Sequence, residues 1–244
     1  RVMPLGQVAL GSATNRRAAH GVMADLLACL LLQQPIRSVR VRVALQMVPK
    51  PPADLAPSGS DDGDPRSDEA LMLAYAADDA AAFTRLYARH RQSLFGFLWR
   101  GLQDQAMVEE CFQDVWSRVV HARLRYQPES RFGTWLLQIA HHRMADEWRK
   151  RRPPTLSAEA QEFALQHVVD EQANPEQDMS DMQAQQRLQA ALRALPDEQR
   201  VAIQLRLAQE LPLEQIADIT GVGRETVKSR LRYAVDKLRA SLCP

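Results

Sequence analysis

Two short helical patterns separated by glycines constrain this chain more than any other feature. Leu213, Ile216, Ala217 and Ile219 recur at the spacing of one helix face, and Gly221 and Gly223 then interrupt them. From Arg224 the pattern resumes with Val227, Leu231, Ala234, Val235, Leu238 and Leu242. Helices this short are marginal alone and must bury their apolar faces together. Residues 221–242 also hold six Lys or Arg and two acidic residues. Arg224, Glu225, Lys228, Ser229 and Arg232 fall on the side opposite the apolar stripe, with Thr226 in the same first turns. Helix, glycine turn and basic helix predict a helix-turn-helix, whose second helix enters the major groove of DNA. A basic solvated helix in an ordinary bundle is the alternative, but turn, stripe and charge agree on the first reading.

The rest of the chain sets the context. Its 244 residues suffice for one large domain or two small ones. No apolar run is long enough to span a membrane. Cys29, Cys111 and Cys243 lie far apart with no CxxC pair, so neither a zinc site nor a disulfide framework is expected, and the pattern suits a reducing cytoplasm. The net charge of +1 is unevenly spread: residues 153–182 carry seven acidic residues and no Lys or Arg, between two mildly basic blocks. That segment is expected to be a flexible acidic linker. Residues 1–67 are expected to be a disordered extension: 49–67 are rich in Pro, Gly, Ser and Asp, and 1–46 read as a segment ahead of the fold, with Met47 as the expected start.

From Asp68 to 152 the pattern is helical. Ser67 before two acids marks one start, and Asp78 or Asp79 a second, leading into Phe83, Leu86 and Tyr87. Val108, Cys111, Phe112, Val115, Trp116 and Val119 form a single apolar stripe, with Glu110, Gln113, Asp114 and Ser117 opposite. A helix is expected from about Thr134 to Lys150, with Leu136, Ile139 and Ala140 inside and Pro153–Pro154 ending it. A further helix follows the linker, and Pro196 is expected to open the next. With no strand signal after residue 47, the expected fold class is all-α, with two small helical domains over 68–152 and 183–244.

Several motifs now stand in order. Residues 191–242, "ALRALPDEQRVAIQLRLAQELPLEQIADITGVGRETVKSRLRYAVDKLRASL", resemble region 4 of bacterial sigma factors. "VEECFQDVWSRV" resembles region 2.2, and "FGTWLLQIAHHRMADEWRKRRP" is similar to regions 2.3 and 2.4. The two-module layout resembles the extracytoplasmic-function (ECF) group. The resemblance implies core RNA polymerase, promoter DNA and an anti-sigma factor as partners, no cofactor, and no catalysis by this chain. It implies polymerase contacts at Glu110, Gln113 and Asp114. It implies contacts to the −10 element at Trp135, His141, His142, Arg143, Arg149 and Lys150, with Arg151 and Arg152 extending the basic edge. Contacts to the −35 element fall to Arg224, Glu225, Thr226, Lys228, Ser229 and Arg232. Trp135 is either a core residue or a stacking platform for an unpaired base. His142 departs from the family, which usually has Asn there. The linker is implied to thread polymerase's catalytic and RNA-exit channel.

Other classes fare poorly. His141 and His142 point about 100° apart on a helix, which does not suit a metal site. No Gly-rich phosphate loop, HExxH or nucleophile elbow occurs. A stand-alone helix-turn-helix regulator remains the alternative, but residues 68–152 show no strands for an α/β sensory domain.

Overall fold

The computed structural model describes residues 64–151 and 181–242. The expected N-terminal extension up to residue 63, with Met47, and residues 153–180 of the acidic linker lie outside the described residues. Among the described residues the secondary structure is helical throughout: α1 (Asp68–Ala76), α2 (Ala80–Leu102), α3 (Gln105–Ala122), a 3-10 turn (Arg123–Arg125), α4 (Phe132–Arg151), α5 (Asp181–Arg193), α6 (Asp197–Leu207), α7 (Leu213–Thr220) and α8 (Arg224–Leu242). The described residues divide into two compact units. One holds 64–151 with 214–223, and the other 181–213 with 224–242.

In the first unit, local chemistry sets the helix starts. Ser67 caps α1 by accepting from the Ala70 amide, Asp79 caps α2 through Ala81 and Ala82, and Asp104 caps α3 through Met107. Gln103, in the left-handed region at φ 59°, ends α2. The α3 stripe is buried along its whole length, from Val108 to Val119. Its Phe112 and Trp116 meet Tyr87 of α2 at ring distances of 6.1 and 4.8 Å. At Gly101, α2 passes so close to the Met144 thioether of α4 that any side chain there would require Met144 to shift. Helix α4 starts at Phe132, two residues before the expected Thr134. Leu136, Leu137 and Ala140 are buried, whereas Ile139 is half-buried because it turns toward the exposed stripe that holds His142.

In the second unit, Pro196 stands as the cap residue of α6, one position before the first helical turn. The Arg200 guanidinium donates to the Leu195 carbonyl (2.8 Å) and the Arg193 carbonyl (3.2 Å), satisfying acceptors at the end of α5. Val201, Ile203 and Leu205 of α6 are fully buried, as are Ala234 and Leu238 of α8. Residues 214–223, which belong to the first unit, close α7 with Gly221 at φ 68°, a conformation that suits glycine. The amides of Gly221 and Val222 both turn back on the Ala217 carbonyl, at 2.9 and 3.3 Å, and close α7.

Candidate nucleic-acid interface

Helix α8 separates its two faces cleanly. Val227, Leu231, Ala234, Val235 and Leu238 are buried, while Arg224, Glu225, Thr226, Lys228 and Arg232 are exposed and Ser229 is half-buried. Glu225, Lys228 and Arg232 follow one another up a single stripe, and Arg224 stands at the helix start, where a groove-bound helix presents its base-reading side chains. Glu225 lies 3.8 Å from Arg224 and 3.6 Å from Lys228. These exposed pairs contribute little to stability.

Arg230 does not belong to this face. It is 8% exposed and pairs with Glu198 of α6 at 3.1 Å. It therefore pins α8 to its own unit. The clue lay in helical phase, since Arg230 falls within the apolar stripe, three residues after Val227 and four before Ala234.

Helix α4 offers a second exposed face. His142 and Arg149 are exposed on it, and Trp135, Gln138 and Ile139 are half-buried. Trp135 stands between its two expected roles. Its ring packs 5.0 Å from Tyr126 and 5.8 Å from Phe132, yet part of it remains open to solvent. Arg149 and Lys150 are exposed and each rests on a carboxylate one turn back, Asp146 at 2.9 Å and Glu147 at 2.8 Å. His141 is turned inward, 4% exposed, with its ring edge-on to Trp148 at 6.1 Å.

Arg143 corrects the basic edge read from the sequence. It is 7% exposed rather than open to DNA. Its guanidinium contacts Asp114 of α3, donates to Glu147 at 3.0 Å, and lies 3.9 Å from Glu110. Burial opposes its positive charge, and Cys111, Glu147 and Asp114 together more than restore it. Glu147 is held below the usual carboxylate range, first by the Lys150 ammonium and then by Arg143, against the cost of burial. Two of the carboxylates expected to face polymerase, Glu110 and Asp114, therefore belong to the same charge cluster as this arginine. Gln113 is exposed beside them. Cys111 sits beneath, where burial pushes its thiol up to about 11, so it is an inert core residue. Among the described residues, no three His, Cys, Asp or Glu side chains converge as metal ligands, and no helix is long and apolar enough to cross a membrane.

The family model of sigma-70 region 2 matches residues 86–153, and that of sigma-70 region 4 matches residues 191–240. The ECF RNA polymerase sigma factor SigK of Mycolicibacterium vanbaalenii is 31% identical over 180 residues, covering 71% of this chain and 88% of its own length. The chain belongs to the ECF sigma factors. The ECF RNA polymerase sigma factor RpoE of Cereibacter sphaeroides is 32% identical over 164 residues, covering 66% of this chain and 86% of its own. The solved structure of CnrH in complex with the cytosolic domain of CnrY aligns with a TM-score of 0.51 at 23% identity, over 72% of this chain and 96% of that one, and supports the fold. In this sigma factor, region 4 includes α6 to α8, and region 2 spans most of α2 with α3 and α4.

Proposed function

We propose that this sigma factor binds core RNA polymerase through the exposed face of α3, sets α8 on the −35 element, and opens and captures the −10 element with residues 131–152. The domain limits proposed are 68–152 and 183–244, joined by the acidic segment 153–182. One observation carries the reading: α8 buries an unbroken apolar stripe while Arg224, Lys228 and Arg232 stay exposed along one side. A helix gripped by its own core holds its side chains in fixed register, which base recognition requires. Arginine or lysine there pairs with guanine edges, and the remaining cations hold phosphates.

At the −10 element, flipping a base from the stack costs a few kcal/mol. Half-exposed Trp135 can stack on an unpaired base without leaving its aromatic neighbours, and Arg149 and Lys150 can exchange their intrahelical partners for phosphates. Polymerase performs the chemistry, and this subunit selects where it starts. The chain is proposed to act in the cytoplasm. An anti-sigma factor, covering one or both modules, is its proposed inhibitor.

The test is transcription in vitro with core polymerase across a library of promoter fragments, with and without this protein. Discrete transcripts that require the protein establish the function. A protein that shifts specific duplex DNA alone, yet gives no transcript with polymerase, would instead be a stand-alone regulator.

A further inference from the structure

Phe132 opens α4, and its amide hydrogen points at another helix. The Glu69 carboxylate, in the first turn of α1, accepts it at 2.8 Å. The two residues are 63 positions apart in the chain. The first amides of a helix have no partner within it, and here a distant side chain supplies one. The bond also closes the helix N-terminus with negative charge, where the helix dipole favours it.

The surroundings make this a latch rather than a chance contact. Asp68, next to Glu69, is bonded to Arg89 at 2.9 Å and to His90 at 2.8 Å, so the start of α1 grips α2 as well. The His90 ring lies 5.1 Å from Phe132. Phe132 is fully buried and packs on both Tyr126 and Trp135. Burial pushes the Tyr126 hydroxyl up to about 12, helped by the neighbouring Glu69 and Asp68 charges. The Glu69 carboxyl lies below its usual range, first because of the Phe132 amide, so the ionised form is the one bound. Glu69 thus holds the turn from which Trp135 projects and the position where exposed Arg131 enters the helix.

We infer that Glu69 is a positioning residue for promoter opening, one that touches no DNA but fixes the first turn of α4 against α1 so that Trp135 meets the −10 strand in register. The inference rests on the sigma-factor reading above. Misplacing a strand-capturing group slows the step that needs it while leaving earlier binding steps intact.

The experiment compares wild type with Glu69→Met, which keeps the length but loses the acceptor, and Glu69→Gln, which keeps an acceptor oxygen. Hydrogen exchange of the Phe132 amide, read on the protein alone, should speed up about tenfold in Glu69→Met and stay within about threefold in Glu69→Gln. With core polymerase, Glu69→Met should bind polymerase and form closed complex within about twofold of wild type. It should open a duplex promoter about tenfold more slowly, the lower end of what loss of a hydrogen bond to a charged group costs. A template mismatched over the −10 element should restore its transcription, and Glu69→Gln should open duplex promoter within about threefold of wild type. Unchanged Phe132 exchange in Glu69→Met overturns the latch. Normal opening by that variant, or a defect that persists on the mismatched template, overturns the positioning role. If wild type itself yields no promoter-specific transcript, the sigma-factor reading fails and the positioning role with it, whereas the exchange result still decides the latch.

Discussion

Replacing Arg143 by methionine separates a buried anchor from a DNA contact. The guanidinium has 9% of its side-chain surface exposed, and its partner Glu147 also has 9%. Removing one member of a buried ion pair costs about 3–5 kcal/mol, because the other charge is left without its partner. Two features lower the figure here. Asp114 is 36% exposed and can rehydrate, and Lys150 remains 2.8 Å from Glu147. The expected loss is therefore about 2–3 kcal/mol, which for a unit of this size lowers Tm by roughly 8–24 °C. All four tryptophans, Trp99, Trp116, Trp135 and Trp148, lie in this unit, so tryptophan fluorescence on heating the full chain follows it alone. The salt dependence of promoter binding by the polymerase complex gives the second readout, at a temperature where the variant is folded. Arg143→Met should leave the slope of log affinity against log salt unchanged, whereas Arg149→Met should leave Tm within about 2 °C and reduce the slope by about 0.9 if it holds one phosphate. An Arg143→Met protein that melts like wild type but loses about one unit of slope would refute the buried-anchor account and restore the arginine to the DNA face.

Three further outcomes follow from the same geometry. Lys228→Ala combined with Arg232→Ala should weaken promoter binding and flatten the salt slope by up to about 1.8, with Tm nearly unchanged, since both side chains are exposed; an unchanged slope would remove both from the DNA contacts. Gly101→Ala would drive a Cβ into the sulfur of fully buried Met144, and should cost about 1–3 kcal/mol in the tryptophan-detected melt. Asp68, Glu69 and Glu147 are all held below ordinary carboxylate values. A depressed carboxyl stabilises the fold above its unfolded pKa and loses that contribution as pH falls through the folded value. The same melt should therefore begin to drop as pH falls below the ordinary carboxylate values of 3.8 and 4.5, and Glu147→Gln should make the drop shallower.

Much of the fold was legible in the sequence, because the rules that decide it act within a turn or two. The stripe from Val108 to Val119 and the one from Val227 to Leu238 follow from helical spacing, and both are buried. Ser67 and Asp79 cap their helices as short polar side chains beside a free amide do, and Gly221 takes the left-handed turn that its lack of a Cβ allows. The exposed candidates on α8 also follow from phase alone. A closer reading of phase could have warned about two arginines, since Arg143 and Glu147 share the buried side with Leu136 and Ala140, and Arg230 lies within its own apolar stripe.

What sequence spacing could not determine is which charges are free. Two of the buried arginines draw on a carboxylate from another helix: Asp114 of α3 joins Glu147 of its own helix at Arg143, and Glu198 of α6 meets Arg230. The acceptor that starts α4 likewise comes from α1. Local pattern determined the helices and their apolar faces, since backbone geometry repeats every few residues. Only the tertiary structure decided which basic residues anchor the modules and which remain exposed, because desolvating a charge is tolerable only where packing delivers its counter-charge.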